Sequence, residues 1–164
     1  MFIVHGTKKF RDRVRAPLPA SDECSTTALG SWYATVLFRK PQVALFVNET
    51  TLLPVLLPLA PSATILDRFP LALRMVLDAH GLEPGFIQHE FEEMSDHRLT
   101  KTANRSIVGM LNEFSFLAEV WSEATEDLAS LSLRLAGIPC GPLDNGHGFP
   151  ELELKALASG YAGS

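Results

Sequence analysis

Apolar and polar positions change their period several times along this chain, and each change marks an element. Phe2-Ile3-Val4-His5 is a short apolar run that predicts a first strand. Residues 7–15 are basic and polar and read either as a helical turn or as an extension of that strand. Residues 16–31 hold Pro17, Pro19, Ser21, Asp22, Ser25, Thr26, Thr27 and Gly30, which predicts a long loop. Residues 32–38 are aromatic and β-branched, and residues 43–47 are continuously apolar. With Arg39-Lys40-Pro41-Gln42 between them they predict an antiparallel hairpin whose second strand is buried on both faces. Residues 52–59 contain Pro54 and Pro58, which fits an edge strand or an extended segment better than a central strand or a helix.

Helical spacing follows. Ile65, Phe69, Leu73, Val76, Leu77 and His80 fall on one face, predicting a helix over residues 62–80. Ser62 or Asp67 would cap it and Gly81 would close it. Pro70 fits the first turn if Asp67 is the cap and otherwise kinks the helix. After a turn at Glu83-Pro84-Gly85, Ile87, His89 and Phe91 alternate with Gln88, Glu90 and Glu92, which predicts a half-exposed strand. A stripe from Ile107 through Leu111, Phe114 and Trp121 to Leu131 and Leu135 predicts two helices. They split near Glu123, with Thr125 opening the second. Gly137 and Pro139 end it. The chain is irregular from Gly141, with a short helix expected over residues 151–158 and fraying over 159–164.

These elements predict one α+β domain over residues 1–143, with residues 144–164 as an irregular extension. The expected core is a mostly antiparallel sheet of about four strands with two to four helices packed on one face.

Composition narrows the function. Of 164 residues, 46% are hydrophobic and 20% charged, enough to fold as a globular domain without staples. The net charge of −5 argues against a broad nucleic-acid or anionic-membrane surface, leaving only a local basic patch at Lys8, Lys9, Arg11, Arg13 and Arg15. Cys24 and Cys140 match no metal spacing and are expected as reduced thiols. The first residues lack an apolar leader segment, and the longest apolar stretch holds three prolines, so a cytoplasmic protein with no membrane span is expected.

Candidate chemistry concentrates in three places. Asn104-Arg105-Ser106 opens the long stripe. Thr102 or Asn104 could cap the helix, or the same free N–H groups with Arg105 and Lys101 could hold a phosphate or carboxylate. Gly109 would permit close approach of a backbone or a ligand. Lys8 and Lys9 follow the first strand; they are either a solvated charge run or a source of one cation facing a site. Asn48 and Glu49 end the buried hairpin strand, where Glu49 is a candidate general base or simply part of the closing turn. The five histidines form no HExxH, and His89 and His97 beside Glu90, Glu92, Glu93 and Asp96 read as a solvated acidic strand end, so no metal site is assigned. Walker A, Rossmann and EF-hand patterns are absent, and no cofactor or oligomeric state is assigned.

Thr7-Lys8-Lys9, Asn48-Glu49-Thr50-Thr51-Leu52, Asn104 through Asn112, and Pro139-Cys140-Gly141-Pro142-Leu143 occur in an order that resembles a family of small bacterial proteins of unknown function. Some members resemble a domain associated with plasmid pRiA4b ORF-3-type proteins. Leu111 departs from the more usual Met of that pattern. The resemblance implies no reaction, but it supports the choice of Lys8, Lys9, Asn48, Glu49, Asn104, Arg105 and Ser106 as ligand-binding candidates.

Two functions fit these residues. One is a binding or regulatory module whose polar cleft accepts a protein partner or a small anionic ligand. The other is a small enzyme for a phosphate-bearing or nucleotide substrate, with Glu49 as base and Arg105 and Lys8 as anion clamp.

Overall fold

Strand β1 (Phe2–Gly6) decides the architecture, because it pairs in parallel on both sides. In the computed structural model, which describes residues 1–16, 23–121, 127–144 and 146–162, the remaining elements follow in order. They are α1 (Lys8–Val14), β2 (Trp32–Leu37), β3 (Val43–Asn48), β4 (Pro54–Pro58), α2 (Ile65–Ala79), α3 (Pro84–Glu92), β5 (His97–Lys101), α4 (Arg105–Trp121), α5 (Leu128–Leu135) and α6 (Pro150–Ala162). The sheet order is β4-β3-β2-β1-β5. Strands β2, β3 and β4 are antiparallel neighbours, whereas β1 runs parallel to β2 and to β5.

The fold is therefore α+β, but the sheet is mixed and five-stranded, and helices cover both faces. Alternation along β2 and β3 shows why. Trp32, Ala34, Val36, Ala44 and Phe46 enter one core with Phe10 of α1 and Phe69 of α2. Tyr33, Leu37, Val43, Leu45 and Val47 enter a second core with Leu111 and Phe114 of α4 and Leu131 of α5. A strand buried on both faces has no polar positions to reveal its period, so the one-sided packing expected from the sequence was the wrong inference from the same residues. The first core is aromatic: Phe46 stacks on Phe69 at 4.1 Å, and Trp32 meets Phe69 edge-on at 4.9 Å.

Three local expectations change. Residues 84–92 are helix, not strand: Pro84 occupies the first turn, and the buried set is Phe86, Ile87 and Glu90, a helical spacing that a buried acid had disguised. Strand β5 was not foreseen, since Leu99 is its one buried residue and its order comes from backbone pairing with β1. Helix α2 begins at Ile65 after a 3₁₀ turn over Ser62–Thr64, with no side-chain cap from Thr64, and Pro70 lies inside it. Its end is as expected. Gly81 has φ +77°, its N–H reaches Asp78 O, and Leu82 N reaches Leu77 O, a Schellman closure.

The proposed cap Thr125 lies outside the described residues; Asp127 caps α5, its Oδ1 accepting from Ser130 N at 2.7 Å. Helix α6 extends past the expected residues 151–158 and brings Leu154 and Ala158 into the first core. Cys24 and Cys140 are both free thiols, and burial pushes the Cys140 thiol up to about 11.

Candidate functional site

The carboxyl ends of β1 and β5 lie side by side, since Gly6 pairs with Lys101. From there the chain leaves in two directions. After β1, α1 turns onto the first face, where Phe10 meets Phe46 edge-on at 5.6 Å. After β5, α4 turns onto the second face. Neighbouring strands whose helices leave on opposite faces open a crevice at the sheet end, the usual place for ligands in open sheets with parallel strands.

Local bonds build this end. A Cβ on Gly6 would lie 2.8 Å from the Phe10 ring, so only glycine permits the tight entry into α1. Thr7 caps α1 by accepting from Phe10 N at 3.4 Å and donates to Thr35 Oγ1 at 3.0 Å. His5 stacks on Tyr33 at 4.6 Å. Its Nδ1 lies 3.0 Å from Lys101 O, and a carbonyl only accepts, so this nitrogen carries the ring proton. Tyr33 Oη accepts from Asn104 N at 3.1 Å.

Asn104 caps α4, its Oδ1 accepting from Ser106 N at 2.9 Å and Ile107 N at 3.3 Å. Arg105 and Ser106 are exposed, and among the described residues the Arg105 guanidinium has no hydrogen-bond or ion-pair partner. A Cβ on Gly109 would meet open space, so no close approach requires that glycine. Lys8 pairs with Asp12 at 2.8 Å on the surface, and Lys9 Nζ stands 5.2 Å from the centre of the Phe38 ring. That contact joins α1 to the β2–β3 turn.

The charge at this end is lopsided. Residues 7–15, 38–42 and 100–106 contain nine of the chain's 14 lysines and arginines and one acid, Asp12, for a net +8. With the whole chain at −5, the other residues carry −13.

Asn48 and Glu49 lie elsewhere. Asn48 pairs with Trp32, Trp32 with Val4 and Val4 with Leu99, so Asn48 stands two residues short of the level of Lys101, and the chain leaves β3 in the opposite direction. Three strand spacings, roughly 14 Å, also separate β3 from β5 across the sheet. The single cleft expected from Lys8, Asn48, Glu49, Asn104 and Arg105 is thus split in two. Asn48 is fully buried, donating to Leu29 O at 2.8 Å and accepting from Thr51 N at 2.9 Å and Thr51 Oγ1 at 3.1 Å. Glu49 is exposed and accepts from Ser31 N at 3.0 Å.

The same end holds Glu90, which pattern reading placed on a solvated strand. It is 1% exposed, and its two oxygens accept from Ala28 N at 3.0 Å and Leu29 N at 2.9 Å. Burial pushes its pKa up, against the opposing pull of those two bonds. Together Asn48, Glu49 and Glu90 hold residues 28–31 to the sheet. Sequence reading named Lys101 beside Asn104 but missed His5 and Tyr33, because only strand pairing brings those two there.

A groove of about 530 Å³ runs between α2 and α3, lined by Leu66, Pro70, Leu71 and Phe91 and by Asp67, which lies 3.1 Å from His97 Nε2. Among the described residues, no group of three His, Cys, Asp or Glu is placed to hold a metal ion. No described helix is long and apolar enough to cross a membrane.

Fold and charge together define a two-core α+β domain with a mixed sheet and a cationic end. The chain belongs to the family described as a domain of unknown function (DUF6933), whose model matches residues 3–153. No curated protein and no solved structure matches it.

Proposed function

We propose that this protein is a binding module that takes an anionic partner at the cationic end of its sheet. The observation that carries this reading is the net +8 of the three segments that follow β1, β2 and β5, α1 included, in a chain of net −5. Field lines concentrate where cations of several segments meet, and exposed guanidinium groups bind phosphate or carboxylate through paired N–H donors. Arg105, without a partner among the described residues and beside the capped start of α4, has the reach and the donors for such a contact. Lys8, Lys9, Asn104 and Ser106 belong to the same end. The enzyme alternative, with Glu49 as base, gains nothing from this layout, since Glu49 binds Ser31 N far from the cations. The motif-level kinship to pRiA4b ORF-3-associated domains is kept as a proposal of relationship and assigns no chemistry.

The test is an amide and guanidinium NMR titration with inorganic polyphosphate. Shifts should cluster at Lys9, Arg39, Lys101 and Arg105, leave Asn48 and Glu49 unmoved, and weaken several-fold in Arg105→Ala. Uniform shifts, or none, would end the proposal.

A further inference from the structure

The structure points to single-stranded nucleic acid as the anion, and we propose that Phe38 is the ring on which a base stacks. This inference rests on the anion-binding reading above. Phe38 ends the run Trp32–Leu37, in which every side chain is buried, yet it is 63% exposed itself. Other large apolar side chains of the chain are as exposed, Phe116 among them at 64%, so what sets Phe38 apart is its surroundings. It stands among cations: Lys9 Nζ lies 5.2 Å from its centre, and Arg39 and Lys40 follow it in the chain.

An exposed aromatic face inside a ring of cations is the arrangement that binds single strands. The cations follow the phosphates, and the ring takes a base whatever its identity. The cations also have extent. They run from Arg105 and Lys101 beside β1, through Lys8 and Lys9, to the β2–β3 turn, about 10 Å across the strands from β5 to β2 and about 10 Å further along β2, which continues from Ala34, level with Lys101, to Leu37. A seven-residue α1 carries Arg11, Arg13 and Arg15 onward from that line.

Duplex recognition does not fit. A major groove admits a projecting helix or a two-stranded ribbon, and this end presents α1 and the start of α4, both packed on the sheet, and one turn. An anionic membrane fits less well too. Phe38 is the one large exposed apolar side chain in the cationic segments, whereas interfacial anchors bury a whole apolar face. The rest of the chain carries a net −13, which disfavours a footprint beyond the cationic segments and points to the low end of the range of about 4–16 nucleotides.

Fluorescence anisotropy with labelled oligothymidylate and oligouridylate a dozen nucleotides long tests this, at about 50 and 200 mM salt. Polyphosphate binding is measured beside it by competition, as a base-free polyanion, and binding to phosphatidylserine vesicles by sedimentation. The expected result is salt-sensitive oligonucleotide binding that Phe38→Ala weakens about ten-fold while polyphosphate binding is unchanged. Because Phe38 is exposed, the variant should keep the wild-type amide spectrum. Equal losses for both polyanions, no loss for either, or preference for vesicles would overturn the nucleic-acid assignment. Polyphosphate binding without oligonucleotide binding would remove this inference and leave the anion module standing. Binding to neither would remove both.

Discussion

Glu90, which is buried, and His80, which is half-buried, are titratable groups with opposite consequences. Glu90 holds the N–H groups of Ala28 and Leu29, so Glu90→Ala leaves two buried donors without acceptors. That loss should cost about 2–4 kcal/mol and speed hydrogen exchange at Ala28 and Leu29; unchanged exchange at both amides would show that other acceptors serve them. Burial raises the Glu90 pKa above its ordinary value of 4.5. A raised folded pKa means that this group's stabilising share is full below that value and is lost as pH rises through the folded pKa. His80 runs the other way. Its Nε2 is buried with no partner among the described residues, and burial lowers its pKa below 6.5. Its share is present above 6.5 and lost as pH falls. In urea unfolding between pH 7 and 5, His80 contributes a decline of stability with acidification and Glu90 an opposing rise, so His80→Leu should remove the part of the decline that His80 supplies. An unaltered slope in the variant would assign the decline to other groups.

At the scale of elements, β4 is the edge that most needs protection. An unpaired edge strand of apolar residues is a template for another chain. Here α5 lies against it, and the buried Ser132 Oγ accepts from Leu56 N at 2.9 Å while donating to Leu128 O at 2.7 Å. Pro54 and Pro58, the end residues of the strand, lack the N–H that a further strand would need. Ser132→Ala keeps the side chain small and removes both the acceptor for Leu56 N and the donor to Leu128 O. It should lower stability by about 1–3 kcal/mol, read as a shift of the urea midpoint with unchanged m-value, and it should raise concentration-dependent aggregation. A midpoint equal to wild type would mean the Leu56 amide does not depend on this serine.

The whole molecule is an electrical dipole. Its cations gather at one end of the sheet although its sum is negative. At pH 7 it should be retained on immobilised heparin at low salt, against the expectation from its net charge, and leave at moderate salt. Arg39→Glu combined with Lys40→Glu should abolish retention, whereas Arg74→Glu on α2 combined with Lys155→Glu on α6, the same change in net charge, should not. Equal effects of the two changes would show that total charge governs binding and that the cationic end has no separate role.

Much of this was written in consecutive residues. The hairpin of β2 and β3, the helical face of Phe69, Leu73 and Val76, the Gly81 closure and the cap at Asn104 are local patterns, since helix and hairpin bonds span only a few positions. Asn104 and Arg105 were recognisable for the same reason. Tertiary structure alone decided that β1 pairs in parallel on both sides, that the polar segment His97–Lys101 is a strand, and that Glu90 points inward from a helix. It also separated Glu49 from Arg105 and brought Lys9, Arg39 and Lys101 to one end. Backbone pairing accepts almost any side chain, and the electric field sums charges over space and not over sequence. Neither leaves a periodic trace in the chain.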